Sequence, residues 1–156
     1  MDNKQLIQSR GTYLLMRLEY IALLALCLGL VAVNWKEVDW FRFLLAFAAI
    51  DLIGYLPGAM ASRRHNGCAP ALYHYLYNTT HSFLTWLLLV PIWALLTGGL
   101  EWAMLAVPIH LSGDRGLFGN LFKPLAVPFS EGVSHQTDNM PPQTRERGLC
   151  PRKPWL

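Results

Sequence analysis

Two histidines and two aspartates of this chain have the side chains and the spacing to bind one divalent cation. His110 and Asp114 are four residues apart, so on a helix they lie on one face and can reach the same ion. His81 and Asp51 stand in two other apolar stretches of the sequence. Imidazole nitrogens and carboxylate oxygens bind zinc, iron and manganese. The residues therefore predict a metal site and leave the identity of the metal open.

An ionisable side chain inside an apolar stretch is costly, which is why these residues indicate a function. A charged group at the centre of a membrane helix costs about 2.5 to 3.5 kcal/mol on insertion scales. A bound divalent cation would offset the carboxylate charges and accept the imidazole nitrogens, and so remove much of this cost. Glu19 and His74 lie in similar surroundings, so they belong to the candidate set.

The elements that must hold these residues are four long apolar runs. They cover residues 13–33, 40–56, 71–96 and 100–118, and each is near the ~20 residues that a membrane-spanning helix needs. None shows the wide polar face of a helix in a soluble bundle, and the chain is 53% hydrophobic with only 15% charged residues. The sequence predicts an all-α membrane protein, with an antiparallel bundle of four transmembrane helices in residues 1–123.

Basic residues predict how this bundle is oriented, because Lys and Arg in short loops stay on the cytoplasmic side. Those nearest the predicted spans fall on one side if both termini are cytoplasmic: Lys4, Arg10, Arg63, Arg64, Arg115 and Lys123. We expect a multi-pass protein of the cell inner (plasma) membrane. Residues 124–156 are rich in Pro and basic residues, which predicts a partly disordered cytoplasmic tail. The three cysteines lack paired spacing and predict neither a disulfide framework nor a CxxC metal site.

Depth in the membrane follows from the rise of an α-helix. At 1.5 Å per residue, Glu19 and His81 lie about 12 and 15 Å from the cytoplasmic ends of their helices. Counted from the outer ends, Asp51, His110 and Asp114 lie about 16, 15 and 21 Å deep. In a hydrocarbon core about 30 Å thick, all five are near the midplane or just cytoplasmic of it.

One face of the first part of the third run is polar. His74, Tyr77, Asn78 and His81 are spaced i, i+3, i+4 and i+7, so they stack on one side of a helix. His74 falls near the cytoplasmic surface, which suits an entrance. Tyr77, Asn78 and Tyr55 of the second run could instead serve as packing contacts, since polar side chains hydrogen-bond between membrane helices for about 0.6 kcal/mol each.

A second alternative needs no metal. Arg17 or Arg115 could pair with Asp51 or Asp114 in buried salt bridges. Arg17 and Glu19 are two residues apart, so they point to opposite sides of a helix and only one of them can face the interior.

Five short motifs span most of the chain. They are Arg17-Leu18-Glu19, Asp51 with Gly54-Tyr55, Tyr77-Asn78-Thr79-Thr80-His81, His110 with Asp114-Arg115, and Gly119 with Lys123. In order and spacing they resemble the small bacterial integral-membrane family catalogued as domain of unknown function 4260. The chain departs from that family at Ile50, where the family usually has Pro, and at Phe118-Gly119-Asn120, where the family has Gly-Tyr-Gly. The resemblance implies the membrane architecture and the site residues, and no activity. A more distant similarity to predicted membrane-bound metal-dependent hydrolases implies metal-assisted hydrolysis.

Three functions are compatible with this set of residues. The first is a membrane-embedded, metal-dependent enzyme, hydrolase-like, whose site opens toward the cytoplasm and acts on a lipid or a small amphiphile. The second is a carrier or accessory subunit that binds a metal in transit or relays protons. The third is a structural membrane protein with a polar core. The expected partners are membrane lipids and a lipid or small-molecule substrate, with a homodimer possible and no nucleic acid.

In the enzyme hypothesis each residue has a role. The metal ligands are His81, His110 and Asp114, with Asp51 completing the set or acting as general base. Glu19 is expected to be a base or to hold a ligand from behind, and Arg115 to hold an anionic headgroup or to orient Asp114.

Overall fold

The chain folds into helices that surround one short, buried helical segment. A computed structural model describes residues 10–64, 69–123, 125 and 129. The helices are α1 (Arg10–Val33), α2 (Trp40–Gly54), α3 (Leu56–Arg64), α4 (Ala71–Thr80), α5 (Phe83–Thr97) and α6 (Ala106–Gly113). A 3-10 turn (Trp102–Leu105) precedes α6, and a π-helical turn (Asp114–Phe118) follows it. All regular structure in the described ranges is helical, as the sequence predicts.

Two helices are long and apolar enough to cross a membrane. They are Gly11–Val33 and Trp40–Arg64, the latter formed by α2 running through Tyr55 into α3. Helices α4 and α5 would make a third span if they are counted together, although they are bent by 60°. The predicted fourth span, 100–118, consists of the 3-10 turn, the eight-residue α6 and the π-helical turn. A crossing by this segment, and with it the four-span topology, stays a prediction.

At the bend between α4 and α5, side chains replace the helical hydrogen bonds that are lost. Ser82 is extended, with φ −102° and ψ 125°. The carbonyl groups freed by this break would otherwise lack donors. Trp86 Nε1 donates to the carbonyl of Thr80 at 2.8 Å, and an Arg115 nitrogen donates to the carbonyl of His81 at 2.8 Å. Both of these carbonyl groups therefore have donors, although the helix is broken. The break lies at His81, one of the candidate metal ligands.

Helix α6 is the centre of the packing. It packs against α1, α2 and α5, and six of its eight residues are buried, including His110. Next to it, α1 and α2 contribute an apolar core that contains Leu24, Cys27, Phe43 and Ala46. Helix α5 has no buried residue. A segment too short to span a membrane by itself thus carries the most enclosed side chains of the described fold.

Polar side chains tie α2 to the segment before α6 at the end of the fold opposite Lys123. Asp39 caps α2 by accepting from the backbone N–H of Arg42 at 3.0 Å. The Arg42 guanidinium is paired with Asp39 and with Glu101, and Trp93 donates to Glu101 at 3.0 Å. Trp93 belongs to α5, so this network also holds the far end of that helix.

Some predicted features lie outside the described residues. These include Lys4, His65, His135 and most of the segment predicted to be a tail. Within that segment Leu125 and Phe129 are described, and Phe129 is fully buried. Phe129 therefore packs against the helices.

Candidate metal centre

Four side chains from three parts of the fold meet at one point. The Nε2 atom of His81 lies 3.3 Å from Asp51 Oδ1 and 3.3 Å from Asp114 Oδ2. The Nε2 atom of His110 lies 3.6 Å from each of the same two oxygens. Nitrogens and oxygens thus alternate around a small ring of four donor atoms. The structure brings together the four residues that the sequence predicts as metal ligands.

Each donor is placed by a specific local feature. Asp51 lies on α2, and His81 is the residue that ends α4 at the bend. His110 and Asp114 are one turn apart, the first on α6 and the second at the start of the π-helical turn. π-Helical turns inside helices are often found at functional sites. The bend and the π-helical turn therefore both lie at ligand positions.

A hydrogen bond to the backbone determines which ring nitrogen of His81 carries the proton when the ring is neutral. Nδ1 of His81 lies 3.1 Å from the backbone carbonyl of Tyr77 and 3.1 Å from Thr80 Oγ1. A carbonyl can only accept, so Nδ1 carries the proton and donates it. Histidines that bind metals characteristically donate the other ring N–H to a carbonyl or a carboxylate in this way. Nε2 of neutral His81 then points a lone pair at two carboxylate oxygens.

The four donor atoms need a positive charge or a proton between them. The Nε2 atoms of His81 and His110 are buried and have no hydrogen-bond partner among the described residues. Burying an unpaired acceptor, or a carboxylate beside one, is unfavourable. Either a cation between the four atoms or protons on the imidazoles would satisfy them.

The donor distances fit a divalent cation. A tetrahedral zinc site with bonds of about 2.0 to 2.1 Å has neighbouring ligand atoms about 3.3 to 3.4 Å apart. The distances of 3.3 and 3.6 Å around the ring are close to this value. The donor atoms of Asp51, His81 and His110 all lie within 4.8 Å of one another. Asp114 lies outside this group, so the other three are the residues best placed to share an ion, and Asp114 Oδ2 lies near the two histidines only.

Aromatic rings hold both imidazoles in place. Tyr77 stacks on His81 with centroids 3.9 Å apart and an interplanar angle of 18°. Phe47 meets His110 edge to face at 4.6 Å. Neither imidazole can swing away without disturbing a packed ring, so the ligand nitrogens are positioned before any ion binds.

Arg115 is built into the support of the site. It is buried, and it donates to the hydroxyl of Tyr20 at 2.8 Å and to the carbonyl of His81 at 2.8 Å. Its guanidinium also lies over the rings of Phe83 and Phe122, at 4.9 and 5.1 Å. In this position it orients His81 through the backbone, and the headgroup-binding role predicted from the sequence stays untested.

A layer of side chains, most of them buried, closes the end of the site beyond Tyr77. We call it the lysine cap, and it consists of Tyr55, Tyr77, Lys123 and Phe129. The Lys123 ammonium donates to the carbonyl of Phe129 at 2.6 Å and lies 4.9 to 5.5 Å from the three ring centroids. Burial lowers the pKa of Lys123, partly offset by the negative charge of Asp114.

Asn78 fastens the lysine cap to α4. Its side-chain amide donates to the carbonyl of Lys123 at 3.0 Å and accepts from the N–H of Lys123 at 2.7 Å. The packing role that the sequence analysis allows for Tyr55, Tyr77 and Asn78 is the role seen here. Their contribution to the metal site is indirect, because they fix the neighbours of His81.

The remaining candidates lie apart from the four donors. Glu19 is exposed, while Arg17 faces the π-helical turn and donates to the carbonyls of Gly116 and Leu117 at 2.9 and 2.8 Å. Of the two, Arg17 faces inward and Glu19 does not. His74 is buried beside the Phe129 ring at 5.2 Å, so it lies beneath the lysine cap and not at an opening.

The alternative of arginine–aspartate salt bridges has no support among the described residues. Arg17 donates to carbonyl groups, and Arg115 donates to a tyrosine and a carbonyl. The partners of Asp51 and Asp114 are the two histidines.

Sequence reasoning missed two residues that support the site and named a third, Gly54, only as part of a motif. Trp86 and Phe129 are aromatic residues among many, and nothing in their spacing sets them apart. Gly54 carries a weak signal, since it follows Asp51 by one helical turn. A Cβ atom at Gly54 would overlap Thr80 Oγ1 and lie 3.3 Å from the His81 ring, so glycine allows α2 and α4 to approach closely here.

Comparisons with known proteins leave the site to be interpreted from its own chemistry. No protein-family model, curated protein or solved structure matches the chain. Membership of the family catalogued as domain of unknown function 4260 therefore stays a prediction.

Proposed function

We propose that this chain is an integral membrane metalloenzyme that binds one divalent cation through Asp51, His81, His110 and Asp114. The observation that carries the proposal is the ring of four donor atoms, in which two buried, unpartnered Nε2 atoms face two carboxylate oxygens. Zinc, iron and manganese all accept this donor set. The reaction we favour is hydrolysis of a lipid or a small amphiphile.

The chain's own residues suit a hydrolytic reaction. A divalent cation held by this donor set supplies the means to polarise an ester or phosphoryl oxygen and to activate water. The Asp51 side chain is 51% exposed, against 18% for Asp114 and 5 to 6% for the histidines. Asp51 is therefore the donor most open to a substrate. Its Oδ1 faces the histidines, which leaves Oδ2 to accept a proton as general base.

The surrounding residues hold the site rather than react. Arg115 fixes the His81 carbonyl and Tyr77 fixes the His81 ring, so the ligand geometry is maintained when substrate binds. Glu19 is too exposed in this structure to hold a buried ligand from behind, and we assign it no step.

The metal content of the purified protein tests the proposal. Wild type in detergent is reconstituted under reducing conditions with zinc, iron or manganese, and is compared by elemental analysis with His81→Ala, His110→Ala and Asp114→Asn. His74→Gln is the matched control, because it alters another buried histidine of α4 outside the donor ring. We expect one metal per wild-type and control chain and a loss in the other three. Well-folded wild type without stoichiometric metal would overturn the assignment.

A non-catalytic carrier is the second candidate, and one observation favours it. Two apolar clefts lie between α2 and α5, of about 340 and 250 Å³, and their linings include Arg42, Trp86 and Trp93 but none of the four donors. A relay of protons or metal needs the donors and no substrate cleft. Purified protein in liposomes that moves metal or protons without consuming a substrate would favour the carrier.

The membrane arrangement belongs to the same proposal. We infer four spans in the cell inner (plasma) membrane with both termini cytoplasmic, and the exposed Arg63 and Arg64 at the end of α3 support this orientation. Fusions of alkaline phosphatase and of green fluorescent protein to the C-terminus test it. Fluorescence without phosphatase activity is expected, and the reverse pattern would overturn the orientation. A homodimer stays a prediction.

A further inference from the structure

The most exposed donor of the metal centre lies at the middle of a membrane-length helix. Asp51 is the twelfth of the 25 residues of Trp40–Arg64, which places it about 16 Å from one end and about 20 Å from the other. Its side chain is half exposed. A carboxylate exposed at this depth is costly unless it has a function or a partner.

Both ends of the site are closed along the helix axes. Toward Lys123, the lysine cap covers it, and three of its four side chains are buried, namely Tyr77, Lys123 and Phe129. At the opposite end, His110 borders the apolar core that contains Ile109, Phe43 and Ala106.

Two of the flanks are closed as well. On the side of α5, Ile50, Val107 and Leu111 are buried with Phe83 and Trp86 packed against them.

On the side of α1, Arg115 fills the space between Tyr20 and Phe83. The remaining flank is that of Asp51. The exposed rings of Phe47 and Tyr55 border it, each one helical turn from Asp51. The neighbouring Leu52 is exposed too.

We propose that the metal centre opens sideways, through Asp51, to the hydrocarbon region of the bilayer, so that its substrate is a membrane lipid that reaches it without leaving the bilayer. This inference rests on the proposed metal site and specifies its substrate class. It also replaces an opening toward the cytoplasm, expected from the sequence, by a lateral one. A lipid reaches such an opening within the bilayer once its ester or phosphate group moves inward from the interface, which is about 15 Å from the midplane. A water-soluble substrate would have to pass the lysine cap.

Spin labels at two adjacent positions test the opening. In a chain without its three native cysteines, Asp51→Cys and Leu52→Cys are labelled and reconstituted in phosphatidylcholine liposomes, with Arg64→Cys as the reference for water. Collision with oxygen reports hydrocarbon, and collision with a neutral nickel chelate reports water. We expect the label at Asp51 to match that at Leu52, which has the same depth. Phe47→Cys, which keeps all four donors, repeats the measurement in case the Asp51 variant does not fold.

Two other results would overturn the lateral opening. A label at Asp51 and at Phe47 that behaves as the one at Arg64 would indicate an aqueous path. Labels there that are shielded from both collision partners, while Leu52 stays accessible to oxygen, would indicate that a second copy of the chain covers this flank.

The substrate class is tested without any substitution. Cobalt-loaded wild type in the same liposomes is titrated with acetohydroxamate and with dodecanohydroxamate, which carry one metal-binding group on a short and on a long chain. The visible spectrum of cobalt is the readout. We expect the long-chain compound to act at a total concentration at least about 100-fold lower, because each buried CH₂ adds about 0.8 kcal/mol of membrane binding. Equal potency on cobalt-loaded protein would overturn lateral access alone, whereas failure of cobalt to bind would overturn the metal site on which it rests.

Discussion

Replacing Gly54 by alanine tests whether the contact between α2 and α4 positions the metal ligand His81. The added Cβ would overlap Thr80 Oγ1, lie 3.1 Å from Thr80 Cβ and lie 3.3 Å from the His81 ring. Thr80 Oγ1 is held by the carbonyls of Leu76 and Tyr77 at 3.0 Å each. Rotation of Thr80 cannot relieve the contact with its Cβ, so the end of α4 must move.

The size of the effect follows from two opposing contributions. Overpacking of this kind costs about 1 to 3 kcal/mol, and alanine in place of glycine within a helix returns up to about 1 kcal/mol. We expect a net loss of about 0.5 to 2 kcal/mol in the free energy of unfolding. Movement of Thr80 also removes its contact with His81 Nδ1, and the loss of such a supporting contact lowers metal affinity by roughly 10- to 100-fold.

Gly29→Ala is the matched control. Gly29 is an exposed residue within α1, and a Cβ there would meet no atom within 4 Å. This variant should gain up to about 1 kcal/mol and keep its metal affinity. Unfolding in mixed detergent gives the stability, and cobalt titration gives the affinity. Our account of the α2–α4 contact is refuted if Gly54→Ala behaves like Gly29→Ala in both measurements.

Three further substitutions or treatments probe the supports of the site. Arg115→Lys keeps the charge but loses the simultaneous contact with Tyr20 and the His81 carbonyl, so cobalt affinity should fall by about 10-fold or more; an unchanged titration would contradict this role. Phe129→Ala should cost about 3 to 5 kcal/mol in detergent unfolding, and a loss below about 1 kcal/mol would show that the lysine cap contributes little. Removal of metal by a chelator should lower the unfolding temperature of wild type, since a ligand at 100 times its Kd adds about 2.7 kcal/mol. His110→Ala should not respond to the chelator, and an equal response in this variant would place the metal elsewhere.

The approach of the four donors could be predicted because it depends on local periodicity. Spacing of four residues places His110 and Asp114 on one face, and helical rise places Asp51 and His81 at a similar depth. Both rules depend on the local helix alone. The same rules leave open whether Arg17 or Glu19 faces the interior, and this is decided by the donation of Arg17 to two carbonyl groups of the π-helical turn.

The bend and the lysine cap could not be predicted, because long-range contacts produce them. The sequence from Thr80 to Phe83 contains neither Pro nor Gly, so it gives no signal for a helix break. The break is stabilised by donors from Trp86 and from Arg115, the latter 34 residues away. Phe129 likewise belongs to a segment whose composition resembles a disordered tail, and its burial depends on the space above Gly58, where a Cβ would overlap its ring.

Asn78 makes two hydrogen bonds to the backbone of Lys123, which is not helical. A neighbouring β-strand would supply the same donor and acceptor. One side-chain amide supplies both an acceptor and a donor to the same backbone residue. Hydrocarbon tolerates irregular backbone only where protein groups replace water in this way. The chain can therefore leave its last helical turn with these backbone groups paired, and Asn78→Asp, which keeps the size but loses the donor, should leave the carbonyl of Lys123 unsatisfied.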